Sequence, residues 1–129
     1  MTDIELTDDA LIISMHGIDQ FLSFRKRIEV PLTHVAGAVV GIDPDVQGAF
    51  TRSLRLPGAY MPGIAVAGSF LEYREKIWLF YNIRGGANAI TIALRHEHYA
   101  ALVVEVATPA ATVAAIGARV GAGAAGGRT

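Results

Sequence analysis

The chain has 129 residues, 52% of them apolar, and its eleven Lys and Arg stand against twelve Asp and Glu for a formal charge of −1. That length suits a single domain with its own core, and near-neutrality excludes a global field that would draw the protein to nucleic acid or anionic lipid. Cysteine is absent, which excludes disulfides and thiolate metal sites and fits a reducing, cytoplasmic setting.

From the N-terminus, Met1-Thr2-Asp3-Ile4-Glu5 lacks the basic and apolar regions of a signal peptide. Residues 4–6 and 11–16 read as two strands around Thr7-Asp8-Asp9, with Leu11, Ile13 and Met15 on one face of the second. After Gly17-Ile18-Asp19-Gln20, alternation over residues 21–30 places Leu22, Phe24, Ile28 and Val30 inward and Ser23, Arg25, Arg27 and Glu29 outward. Pro31-Leu32-Thr33-His34 interrupts the ladder, since proline has no amide donor, and residues 35–42 form a strand rich in small side chains.

Residues 43–62 are the least regular part. Asp43-Pro44-Asp45 suits the start of a single helical turn, and a long loop follows with Arg52, Arg55, Pro57, Tyr60 and Pro62. The longest uncharged apolar stretch, around Pro57 and Pro62, is too short and broken to cross a bilayer, so no transmembrane segment is expected. Residues 64–73 and 76–83 then form a hairpin. In its second arm Ile77, Leu79, Tyr81 and Ile83 share one face, with Trp78 and Phe80 on the other, a pattern that asks for cover on both sides. Two further strands place Ile90, Ile92 and Leu94, then Leu102, Val104 and Val106, inward. Thr108-Pro109 is a helix start, and the alanine-rich sequence to about Val120 carries Val113, Ile116, Gly117 and Val120 on one side. Residues 121–129, rich in glycine and alanine, read as a flexible tail outside a single domain of residues 1–120.

Seven or eight strands followed by one helix specify a mainly β domain with a helical cap. This order resembles the pleckstrin-homology (PH) superfold, a barrel of two near-orthogonal antiparallel sheets closed by a C-terminal α-helix. The segments LSFRKRIEVPLTHV (22–35), LRLPGAYMPG (54–63), GSF (68–70) and YAALVVEV (99–106) are similar to an uncharacterised, often actinobacterial, family of bacterial PH-like proteins, over roughly residues 2–120. The resemblance implies a binding or assembly module and brings no active-site residues with it. Phosphoinositide-binding members of the superfold use several basic residues around the first strand loop. Gly17-Ile18-Asp19-Gln20 has none, which argues against phosphoinositide binding.

The side chains that could carry chemistry are few. His96-Glu97-His98 is the most metal-like group, because histidines two apart in a strand point the same way; a third ligand would have to come from distant His34 or His16, so a solvated turn is favoured and no metal is expected. Arg25-Lys26-Arg27 is split by strand alternation and reads as a charged solvent face. Arg52 and Arg55, near Tyr60 in the long loop, offer guanidinium forks to an anion or an acidic partner, or else pin the loop to Asp43, Asp45 or Glu72. Arg84-Gly-Gly-Ala-Asn88 lacks the lysine and hydroxyl of a P-loop and precedes a strand, and no serine lies in a nucleophile elbow. With no catalytic residue and no cofactor indicated, the expected function is a non-enzymatic module for protein–protein interaction or self-association, through a sheet edge or the 43–62 loop. Arg52, Arg55 and Tyr60 are the candidate binding residues. A weak anion or small-ligand binder is the second reading and an enzyme the third.

Overall fold

The computed structural model describes residues 2–15, 27–51, 54–61, 65–72, 76–84 and 87–127. Along them run β1 (Asp3–Leu6), β2 (Ala10–Ser14), β3 (Arg27–Pro31), a 3₁₀ turn (Leu32–His34), β4 (Val35–Val40), α1 (Pro44–Thr51), β5 (Leu54–Met61), β6 (Ala65–Glu72), β7 (Ile77–Arg84), β8 (Ala89–Leu94), β9 (Tyr99–Glu105) and α2 (Pro109–Gly127). The strands form two sheets, β1-β2-β3 and β4-β8-β9-β7-β6-β5. The mainly β class with a C-terminal helix is therefore present, with nine strands among the described residues in place of seven or eight.

The additional strand is β5, inside the stretch that reads as a loop. Pro57 and Gly58 mask it in the sequence, yet proline is compatible with an edge strand, and β5 is the last strand of its sheet. The register against β6 slips between Arg55 and Gly58, where Pro57 cannot donate to a ladder. The other half of the same stretch is α1, a full helix instead of a single turn. Asp43 caps it, its Oδ1 accepting the amides of Asp45 at 2.9 Å and Val46 at 3.4 Å, and Pro44 supplies a first helical position that needs no donor.

The large sheet is mixed, which corrects the expectation of purely antiparallel sheets. β8 and β9 form an antiparallel hairpin, and β9 lies between β8 and β7, parallel to β7. A bulge between Tyr99 and Ala101, opposite Trp78 and Leu79, resets the alternation of β9. Thereafter Leu102 and Val104 face one side and Ala101 and Val103 the other.

Apolar clusters pack on both faces of the central strands of that sheet. On one, Val35, Phe80, Ile90, Ile92, Leu102 and Val104 pack with Leu11, Ile13, Met15, Ile28 and Val30 of the small sheet and with Ile116 of α2. On the other, Phe70, Leu79, Tyr81, Ala101 and Val103 pack with Ile77 and Ile83 and with Val46 of α1. The two-sided pattern of β7, the inward sets of β2, β8 and β9, and Ile28 and Val30 of β3 thus lie as alternation places them, whereas Leu22 and Phe24 lie outside the described residues. Ile116 is fully buried, with Val113 and Val120 packed beside it, while Gly117 is exposed. α2 continues to Gly127, beyond the expected boundary at residue 120, through sequence whose alanines have the strongest intrinsic helix preference.

Candidate functional site

Among the described residues the two sheets leave four edge strands, β1, β3, β4 and β5. Edges invite pairing with other chains, and proteins blunt them with charge or proline. β1 carries exposed Asp3 and Glu5. β3 carries exposed Arg27 and Glu29, paired at 3.2 Å, and ends on Pro31. The sequence of β5 includes Arg55 and Pro57. By contrast β4 reads Val35-Ala36-Gly37-Ala38-Val39-Val40, with neither device.

The backbone of β4 also fixes which groups face outward. Gly41, at φ 84°, donates its N–H to the Ala89 carbonyl at 2.8 Å, continuing the ladder that pairs Val39 with Thr91 and Gly37 with Ala93. Hydrogen-bonding direction alternates along an antiparallel strand. Gly37 and Val39 therefore address β8, and the N–H and C=O groups of Ala38 and Val40 point to the open edge. No hydrogen bond from another described element reaches them. Val39 and Val40 are 44% and 57% exposed, the large apolar side chains left uncovered among the described residues. Successive strand residues point to opposite faces, so at this end of β4 neither face is covered.

Beside β4, on the face that carries α1, lies a groove of about 330 Å³ lined by Gly37, Val39, Asp43, Val46, Thr91 and Ala93. Its polar groups are engaged within the fold. The Asp43 carboxylate caps α1, the Asp43 amide donates to Thr91 Oγ1 at 3.0 Å, and the Thr91 hydroxyl donates to the Gly41 carbonyl at 2.8 Å. What remains is an apolar hollow above Gly37, where an added Cβ would meet nothing within 4 Å. Such a hollow accepts an aliphatic side chain, not an ion.

A second cluster gathers around the β8–β9 turn. His34 Nδ1 and Glu97 Oε2 are 2.5 Å apart, and the Arg95 amide donates to the His34 carbonyl at 2.8 Å, fastening the turn to the 3₁₀ segment. His96, at φ 58°, sets its ring 5.9 Å from that of His34, whereas His98 stacks on Trp78 at 4.9 Å and meets the edge of Tyr99. The Tyr99 hydroxyl is 2.6 Å from Ser69 Oγ. His96 and His98 thus turn to different partners, because the turn abolishes the strand alternation that would align them. Among the described residues no three His, Cys, Asp or Glu side chains are placed to hold a metal ion.

Arg55 and Tyr60 fall on β5, an edge strand, instead of in a loop; Arg52, Arg25 and His16 lie outside the described residues. β5, which holds Arg55 and Tyr60, and β4 occupy opposite ends of the sheet order, with β8, β9, β7 and β6 between them. Sequence reading passed over β4 because its small residues carry no functional group. The run of six uncharged residues without proline was the available signal, and it takes meaning only once the strand is known to be an edge. No helix among the described residues is long and apolar enough to cross a membrane. No family model, curated protein or solved structure matches the chain.

Proposed function

We propose that this protein is a non-enzymatic interaction module that docks an extended protein segment along β4. The carrying observation is that β4 alone of the four edges has no charge or proline while exposing Val39 and Val40. Strand addition would use the outward backbone groups of Ala38 and Val40 for affinity and the Gly37 groove for side-chain selection, the usual division of labour in this mode of recognition. The PH-like kinship remains part of the reading. Its support is the similarity of the four sequence segments, together with a two-sheet, mainly β body in which a C-terminal helix buries Ile116. The lack of cysteine favours a cytoplasmic setting.

The test is Ala38→Pro. Proline at a position whose N–H faces solvent on an edge strand leaves the β4–β8 ladder intact but removes the donor and the space that an added strand needs. The variant should keep the far-UV spectrum of the wild type and lose its assembly in sedimentation experiments. Assembly unchanged by this substitution contradicts docking on β4.

A further inference from the structure

We infer that the segment β4 receives is β4 of a second copy of this chain, paired antiparallel about Ala38; this rests on the reading of β4 as a docking edge. Antiparallel pairing of identical strands is isologous, so it closes as a two-fold dimer and consumes both edges without continuing into a fibre. With Ala38 opposite Ala38 on the axis, each copy's outward N–H meets the other's outward C=O, the hydrogen-bonded pairing that the ladder direction of β4 requires. That register sets Gly37 of one copy opposite Val39 of the other, twice over. These are non-hydrogen-bonded positions, where Cα atoms approach to roughly 4.5 Å and side chains are in closest contact.

The side chains at those positions are complementary. Val39 is 44% exposed and lies on the groove face, and Gly37 leaves open space above itself on the same face. The second copy's Val39 would enter the hollow over Gly37, and by symmetry the reverse. Val40, 57% exposed, comes alongside Ala36, so a large residue again meets a small one. Shifting the register by two places Val39 opposite Val39 and leaves both hollows empty. Charge does not oppose the pairing: β4 carries none, and each chain brings a net charge of only −1. α2 packs against the inner side of β4, where Ala38 joins the Ile116 cluster, and leaves Ala36, Val39 and Val40 exposed.

Gly37 supplies a test that spares the monomer, since its φ is ordinary and a Cβ there meets no neighbour. Sedimentation equilibrium from micromolar to millimolar concentration should show a wild-type dimer. Gly37→Val should fold as the wild type does and weaken dimerisation by at least about tenfold, because the hollow is filled and the second copy's Val39 is expelled. Exchanging the two residues, Gly37→Val with Val39→Gly, recreates the same large-to-small pairing in the same register and should restore most of the loss. A wild-type monomer at every concentration overturns the second copy as occupant. A dimer indifferent to Gly37→Val, or a double variant no better than the single one, overturns the register. A dimer that survives Ala38→Pro overturns the docking edge itself.

Discussion

Tyr81 shows what the covered face of the large sheet demands of a single residue. It is 1% exposed, edge-on to Phe70 with ring centroids 5.9 Å apart, and burial pushes its phenol above the ordinary tyrosine range. An unfolded tyrosine ionises near pH 10, whereas the folded one holds its proton to higher pH, so the unfolded state binds fewer protons in between and stability falls as pH rises beyond about 10. The slope for one such group is up to about 1.4 kcal/mol per pH unit. Tyr81→Phe should flatten the alkaline limb of the melting temperature against pH relative to wild type; identical limbs would remove Tyr81 as its cause. The histidines make the opposite case. His96 turns to His34 and His98 to Trp78, so micromolar zinc should leave the melting temperature unchanged. A saturable rise lost in His96→Ala would contradict that.

Among its described side chains α2 buries Ile116 fully, with Val113 and Val120 partly buried beside it. Ile116→Asp would bury a carboxylate among Leu11, Val35 and Ile92, and a loss of more than about 4 kcal/mol is expected, measurable by urea unfolding where the variant folds at all. Residues 121–129 carry no large apolar side chain, and their removal should change the melting temperature by no more than a few degrees. Elements with strict alternation, such as β2 with Leu11 and Ile13 or β7 with its two apolar faces, were legible because period-two patterning survives without knowledge of neighbours. β5 was hidden because Pro57 and Gly58 break the pattern, and only its place at the sheet edge makes proline harmless. α1 was legible at its start, through Asp43 and Pro44, but not in its length.

At the scale of the whole molecule, sheet order sets which strands are edges and is not written locally in the sequence. That β9 inserts between β7 and β8, and that β4 is thereby left at the end of the sheet, depends on contacts far apart in sequence. Arg52, Arg55 and Tyr60 drew notice for their chemistry, while β4, made of alanine, glycine and valine, gained significance only from its position. Charge or proline at β1, β3 and β5 beside neither at β4 is the contrast on which the proposed pairing rests. The most direct measurement is amide hydrogen exchange at Ala38 and Val39 as a function of protein concentration. Val39 faces β8 and should be protected throughout, whereas Ala38 should exchange quickly in dilute solution and become protected as concentration rises. An Ala38 amide whose exchange rate is the same at every concentration would contradict the pairing of β4 with a second copy.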